Sequence, residues 1–199
     1  MAEHPLRATY RRILKDQVHE PLKAAGYRRS GDRWTSGTDV SRVVTIQTES
    51  SGSRTSRRLP ESFITFTMNV EVWVRGYGAF YSRSGDDPEN PAGNRVLSQR
   101  IGSLMDPPAD YWWWIDPHGL SFSTWSSASR TSIPESALSR VVTEIAIPCL
   151  AAIVTIRDVT AKLTGPAWPF VEWLPYKAQA QTALQAASDW IDSNRQTTD

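Results

Sequence analysis

The stretch FITFTMNVEVWV, at residues 63–74, decides the fold class of this chain. Large apolar residues occupy every second position of it, namely Ile64, Phe66, Met68, Val70, Val72 and Val74. Because the side chains of a β-strand alternate between its two faces, this pattern predicts a strand with one wholly apolar face that packs against a helix. The other face mixes polar and aromatic residues, which favours an antiparallel sheet over a parallel sheet buried on both sides.

Four further strands are predicted from extended patterns that turn residues separate. Residues 27–35 and 40–48 precede the central stretch, and residues 111–116 and 120–125 follow it. Together with residues 63–74 they predict a mainly antiparallel sheet of about five strands.

A helix is predicted at the N-terminus because apolar residues recur there at three-to-four spacing. The apolar stripe consists of Leu6, Tyr10, Ile13, Leu14, Val18 and Leu22. Pro21 should kink or restart this helix because proline lacks a backbone donor. Gly26 stands where a C-terminal cap belongs.

The last third of the chain is also predicted to be helical. Ser132 and Glu135 have the spacing of a capping box, so an apolar helix should begin there and run to about residue 163, with a kink at Pro148. An alanine-rich amphipathic helix should close the chain, with an apolar stripe made of Tyr176, Ala180, Leu184, Ala187 and Ile191. These elements predict an α+β fold in which the N-terminal helix and the C-terminal helices pack against the sheet, all within a single domain over residues 1–199.

The composition indicates a cytoplasmic protein. The chain has one cysteine, Cys149, so no internal disulfide can form. Its N-terminus has no apolar segment of the kind found in signal peptides, and its most apolar stretch, residues 145–156, is too short to cross a bilayer. We therefore expect no membrane association. Residues 1–58 carry 12 Lys and Arg against 6 Asp and Glu, an asymmetry that could steer a charged partner.

A set of short motifs occurs in a characteristic order along the chain: LKAAGYRR, VVTIQTESSGS, FTMNVEV, RIGSL, YWWWI and IPCL. In this order the chain resembles the bacterial family called domain of unknown function 4304. The resemblance covers about residues 7–163 and leaves residues 164–199 as a C-terminal extension with an amphipathic helix. It implies a compact bacterial α+β domain with an antiparallel sheet, and it implies no reaction. The family-like positions are Gly26, Gln47, Asn69, Arg100, Gly102, Trp113 and Pro148.

No catalytic residue, metal ligand or cofactor is predicted from the sequence. A nucleophile needs a base within hydrogen-bond reach, and the three histidines of the chain form no motif with Cys149 or with a serine. Cys149 follows Pro148 in an apolar helix, where a thiol is usually inert. The spacings typical of zinc and calcium sites are absent from the sequence.

Two glycine-containing polar stretches, residues 50–62 and 75–94, are predicted to be loops. The first contains Arg54, Arg57 and Arg58 among serines and threonines. Such a basic loop could neutralise backbone phosphates without reading a base sequence, or it could contact an acidic protein. The alternative is a connection between strands without a binding role.

Trp112, Trp113 and Trp114 are consecutive on a predicted strand, so the middle indole should point away from the other two. An exposed indole could stack on a base or on a partner protein, whereas a buried one would serve packing. Gln47, Asn69 and Arg100 lie among apolar neighbours. If they are buried they must be hydrogen-bonded, either in a structural network or at the floor of a pocket.

These features rank three classes of function. The leading hypothesis is a non-enzymatic module that binds another protein, in a regulatory or accessory role. It predicts an exposed apolar patch that holds a tryptophan and is rimmed by charge. The alternatives are nucleic-acid binding through the basic N-terminal helix and residues 50–58, and a small-ligand site or unrecognised enzyme built around Gln47, Asn69, Arg100 and Trp113. The sequence contains no signal for the oligomeric state.

Overall fold

The computed structural model describes residues 5–48, 63–82, 93–124, 129–164 and 177–196. It confirms the predicted α+β class, with a mainly antiparallel sheet and several helices. The strands are β1 (Arg28–Ser30), β2 (Arg33–Ser36), β3 (Val40–Thr48), β4 (Ile64–Val74), β5 (Arg95–Arg100), β6 (Tyr111–Asp116), β7 (Gly119–Thr124) and β8 (Thr131–Ser132). The α-helices are α1 (Pro5–Leu14), α2 (Glu20–Ala24), α3 (Tyr77–Ser82), α4 (Ser136–Arg140), α5 (Ile147–Ala151), α6 (Ile156–Thr164) and α7 (Lys177–Gln196).

The sheet has eight strands among the described residues, so the prediction of about five was too low. Their order is β1-β2-β3-β4-β6-β7-β8, and β5 pairs with β4 beside this path. The predicted strand at residues 27–35 is divided because Gly31 adopts a φ of 60°, which turns the chain between β1 and β2. The unpredicted strands β5 and β8 are short or largely polar, so no alternation marks them in the sequence.

The described residues cluster into two compact units. Unit 1 comprises Met1–Trp34, Val44–Asn69 and Arg100–Pro148, and unit 2 comprises Thr35–Val43, Val70–Gln99 and Cys149–Asp199. The prediction of a single domain stays a prediction.

The apolar face of β4 is buried as its alternation predicts. Phe66, Met68, Val70, Val72 and Val74 have no exposed surface. In unit 1, α1 packs against β6, and Tyr10 meets the ring of Phe66 edge-on with 5.6 Å between the ring centroids. In unit 1, the helix that was predicted to pack against the apolar face of β4 is therefore α1.

The N-terminal helix ends as its sequence predicts. Gly26 has a φ of 84° and its N–H donates to the carbonyl of Lys23 at 3.0 Å, while the N–H of Tyr27 donates to the carbonyl of Leu22 at 2.9 Å. These two bonds form a Schellman motif, which satisfies the last carbonyls of a helix.

Each of the two prolines that were predicted to kink a helix follows a π-helical turn. Lys15–His19 precedes α2 with Pro21, and Val141–Ala146 precedes α5 with Pro148. Proline cannot donate the hydrogen bond of a regular α-helix, and its ring crowds the preceding turn. A π turn is wider and shifts the bonding pattern by one residue, so the helical path continues up to each proline.

The predicted capping box at Ser132 and Glu135 is wrong. Ser132 ends β8, and α4 begins at Ser136 without a side-chain cap. Glu135 accepts two hydrogen bonds from Arg12 instead, at 2.6 and 2.7 Å. A long-range arginine fork therefore replaces the local bond, because a charge-assisted bidentate pair is stronger than a bond to one backbone N–H.

Unit 2 contains α7, whose predicted apolar stripe is confirmed where the structure describes it. Ala180, Leu184, Ala187 and Ile191 are buried, whereas Tyr176 lies outside the described residues. Helices α3 and α6 pack against α7. Helix α3 lies in the stretch predicted to be a loop, and it forms there because Tyr77 is buried and stacks on Tyr81 with 5.2 Å between ring centroids.

Within the described ranges no single helix has both the length and the apolar composition needed to cross a membrane. One bent pair of helices, residues 136–151 and 156–163, meets the length and composition criteria only when the two are counted together.

Candidate functional site

Trp112, Trp113 and Trp114 lie on β6 in unit 1 and alternate between the two faces of the sheet. Phe66 of β4 is paired with Trp113, and Thr65 is paired with Trp114. Trp113 is 2% exposed and stacks on Phe66 with 5.9 Å between ring centroids. Trp113 therefore belongs to the core on the side of α1, and the other two indoles face the opposite side.

Arginines cover the two tryptophans of that opposite side. The guanidinium of Arg130 lies 3.9 Å from the ring centroid of Trp114 and 4.8 Å from that of Phe63. The guanidinium of Arg100 lies 4.8 Å from the ring centroid of Trp112. Such cation–π contacts stabilise by about 0.5–1 kcal/mol each at exposed sites. A base or a partner that stacked on these faces would have to displace an arginine.

The polar residues singled out in the sequence form two separate pairs. Arg100 donates from Nη1 to both carboxylate oxygens of Asp110, at 2.7 and 2.8 Å. Asn69 donates from Nδ2 to Oε1 of the exposed Gln47 at 3.4 Å. Trp113 lies on the face opposite Thr65 and therefore opposite Asn69, which is four residues further along β4. The structure thus does not bring Gln47, Asn69, Arg100 and Trp113 together around one pocket.

The basic residues of the predicted nucleic-acid surface are only partly described. Arg54, Arg57 and Arg58 lie outside the described residues. On the N-terminal helix, Arg12 is committed to the fork with Glu135. Hydrogen bonds from Arg12 hold the pKa of Glu135 below its ordinary range, so the pair stays ionised at neutral pH.

Cys149 is a partly buried thiol in unit 2. Burial raises its pKa, and the nearby Lys162 opposes this effect only in part. Because the thiolate is the reactive form, a raised pKa lowers reactivity at neutral pH. We expect iodoacetamide at pH 7–8 to alkylate Cys149 severalfold more slowly in the folded protein than in urea, with the difference narrowing as the pH approaches the raised pKa. The rates are followed by mass spectrometry, and equal rates in both states would contradict a raised pKa of the Cys149 thiol.

The described part of the chain contains no group of three or more His, Cys, Asp or Glu side chains that could hold a metal ion. The candidate binding site among the described residues is a groove in unit 2, and no sequence motif predicts it.

This groove has a volume of about 430 Å³ and is lined by three segments that are distant in the sequence. They are residues 37–42, residues 154–157 and one face of α7. The residues of α7 follow the i, i+3, i+4, i+7 spacing of a single helix face, and they are Ser188, Ile191, Asp192 and Arg195. Val40 and Ile191 are buried and form an apolar floor.

Val154 projects beside this floor. It is 59% exposed and is the exposed large apolar side chain of the described residues. An apolar side chain in this position contacts water that a bound molecule would displace, which favours association.

Hydrogen bonds hold the segment that carries Val154. The carboxylate of Asp158 accepts bonds from the backbone N–H groups of Val154 at 3.0 Å and of Thr155 at 2.8 Å. The hydroxyl of Thr155 in turn accepts a bond from the N–H of Asp158 at 3.2 Å. These reciprocal bonds form a capping box for α6, and the backbone bonds hold the pKa of Asp158 below its ordinary range. The position of Val154 is therefore fixed by the start of α6.

The opposite edge of the groove is a tight turn that requires glycine. Gly37 has a φ of 92°, and a Cβ atom there would lie 2.3 Å from the carbonyl oxygen of Val40. The hydroxyl of Ser41 donates to the carbonyl of Thr38 at 3.2 Å and closes the turn. A residue other than glycine would strain this edge.

The two carboxylates that line the groove are already paired. Arg195 contacts Asp39 at 2.5 Å and Asp192 at 3.7 Å. Arg75 contacts Asp39 from another side at 3.7 Å. The acidic side chains of the groove are thus neutralised by arginines of the same unit.

Two arginines of the groove have no carboxylate partner among the described residues. Arg42 donates from Nη2 to the hydroxyl of Ser36 at 3.1 Å, and its buried Nε has no hydrogen-bond partner. Arg157 is exposed, and its charge acts on the neighbouring Asp158. The groove therefore combines an apolar floor with two arginines that no described carboxylate neutralises.

No protein-family model matches this chain, and the searches of curated proteins and of solved structures returned no match either.

Proposed function

We propose that this protein is a non-enzymatic interaction module that binds a segment of another protein in the groove of unit 2. The observation that supports this proposal is the combination of the exposed Val154 with the buried floor of Val40 and Ile191, surrounded by charged side chains. Protein interfaces typically have such an apolar centre and a polar rim.

The patch differs from the one expected on sequence grounds, because a valine and not a tryptophan is its exposed residue. Each described tryptophan that lies next to an arginine has one ring face covered by it. The guanidinium of Arg75, for example, lies 5.2 Å from the ring centroid of Trp190. An indole held in this way contributes to the fold of its unit. The apolar surface that is accessible to a partner is therefore carried by Val154.

Replacing Val154 with aspartate should weaken binding of a protein partner about ten- to hundredfold. Burying a valine side chain contributes about 1.5–3 kcal/mol, and a factor of ten in Kd corresponds to about 1.4 kcal/mol. The partner is first captured with the tagged full chain after nuclease treatment and identified by mass spectrometry. The affinity of the purified partner is then measured by calorimetry for both proteins.

Ala152→Asp is the matched control, because Ala152 is exposed two residues away and does not line the groove. It introduces the same charge and should leave the affinity unchanged. A partner that binds the Val154→Asp and Ala152→Asp proteins with equal affinity would overturn the proposal.

A further inference from the structure

We infer that the segment recognised by the groove of unit 2 is acidic, with a carboxylate that bonds Arg157 and Arg42 and an adjacent apolar side chain that covers Val154. This inference rests on the proposed function of the groove as a protein-binding site. It adds the chemistry of the partner, which is set by the charges that the groove leaves unpaired.

The acidic side chains around the groove are not available to a ligand. Asp39 and Asp192 are paired with Arg195, and Asp39 is also within 3.7 Å of Arg75. The carboxylate of Asp158 accepts the backbone N–H groups at the start of α6. A cationic partner would therefore compete with the arginines that already neutralise these carboxylates.

The cationic side chains have capacity left. Arg42 lines the groove, where its Nη2 donates to the hydroxyl of Ser36, and no described carboxylate pairs with it. Arg157 is exposed beside Val154 and forms no hydrogen bond or ion pair with the described residues. A carboxylate accepts such donors through strong, charge-assisted hydrogen bonds. Charge complementarity thus selects an anion at this place.

The apolar part of the groove distinguishes a peptide from a nucleic acid. A phosphate backbone offers no aliphatic group to cover Val154. The bases of a nucleic acid stack on aromatic side chains, and the described lining of the groove contains none. A peptide with an acidic residue next to an aliphatic one supplies both contacts. The helix N-terminus of α6 adds no anion site, because Asp158 already occupies its donors.

The test is a selection from a library of random dodecapeptides displayed on phage, with the full chain as bait. We expect enrichment of peptides in which Asp or Glu adjoins Leu, Ile, Val or Phe. Synthetic versions of the enriched peptides are then measured by fluorescence anisotropy, together with versions in which the acidic residue is replaced by its amide. The amide versions should bind about tenfold more weakly, because they lose the charged pair.

Arg157→Glu should lower the affinity of the acidic peptides by about tenfold or more, since it replaces attraction by repulsion. The variant should fold, because a negative charge in the first turn of α6 is favourable to the helix dipole. Arg140→Glu, at an exposed arginine in unit 1, makes the same change in net charge and should leave the affinity unchanged.

The outcomes separate the two proposals. Enriched peptides without an acidic residue, or an affinity unaffected by Arg157→Glu, would overturn the acidic partner while the loss caused by Val154→Asp would still support the interaction site. If the unchanged protein enriches no peptides beyond those that the Val154→Asp protein enriches, both the interaction site and the acidic partner are overturned. Displacement of the peptide by micromolar oligothymidylate would show that the arginines serve phosphates, and it would also overturn the acidic partner.

Discussion

Replacing Trp113 with alanine is expected to lower the free energy of unfolding by about 3–5 kcal/mol, the range found when large aromatic residues are removed from a core. The indole is 2% exposed and stacks on Phe66, which Tyr10 meets from the side of α1. Alanine would leave a cavity between the sheet and this helix, because close-packed neighbours relax only in part. Urea denaturation followed by circular dichroism measures the loss.

Trp114→Ala is the matched control, one residue further along β6. Trp114 is half-buried, and its ring contacts Arg130 and Phe63 on the opposite face. Its removal should cost about 1–2 kcal/mol, which combines partial burial with the loss of a cation–π contact. Equal losses for Trp113→Ala and Trp114→Ala would contradict the assignment of Trp113 to the core and of Trp114 to a partly exposed position.

Gly102→Ala is expected to lower the free energy of unfolding by about 2–4 kcal/mol through overpacking and loss of a backbone hydrogen bond. A Cβ atom at Gly102 would lie 2.3 Å from the carbonyl oxygen of Ala109 and 2.8 Å from the nitrogen of Tyr111. These are backbone atoms, which cannot rotate away as a side chain can. The segment would have to move, and the bond from the N–H of Ala109 to the carbonyl of Gly102, 3.0 Å long, would be disturbed.

Urea denaturation of the Gly102→Ala protein tests this expectation, with Ser103→Ala as the control. Ser103 is the half-buried neighbour in the same turn, and its change to alanine removes atoms without adding any. A stability of Gly102→Ala within about 0.5 kcal/mol of the unchanged protein, the range of ordinary surface substitutions, would contradict the steric requirement.

Several elements could be predicted because their signals are local. The alternation at residues 64–74 predicts β4, and Gly26 predicts the end of the first helix through its positive φ. A local signal failed where a long-range bond competed with it. Ser132 and Glu135 match a capping box, but Thr155 and Asp158 have the same spacing and form one. The long-range bond to Arg12 removed Glu135 from the first of these, and such a bond is not visible in the sequence.

The candidate site was less predictable than the fold. Arg100 and Trp112 were singled out in the sequence as separate binding features, and the structure joins them in a cation–π contact. Val154 carries no signal of exposure in the sequence, since it lies within the apolar stretch 145–156 of a helix predicted to continue to about residue 163 and reads as part of the core. Its exposure follows from the capping box at Asp158, which starts a new helix directly after it.

The sequence by itself determined the α+β class, the buried face of β4 and the apolar stripe of α7, because each depends on a period of two or of about 3.6 residues within one segment. Tertiary structure alone decided the groove. Its walls come from residues 37–42, 154–157 and 188–195, which lie far apart in the chain. The fold places the two carboxylates of the groove beside Arg195, so Arg42 and Arg157 have no carboxylate partner among the described residues. This pairing depends on proximity in three dimensions and not on spacing along the chain.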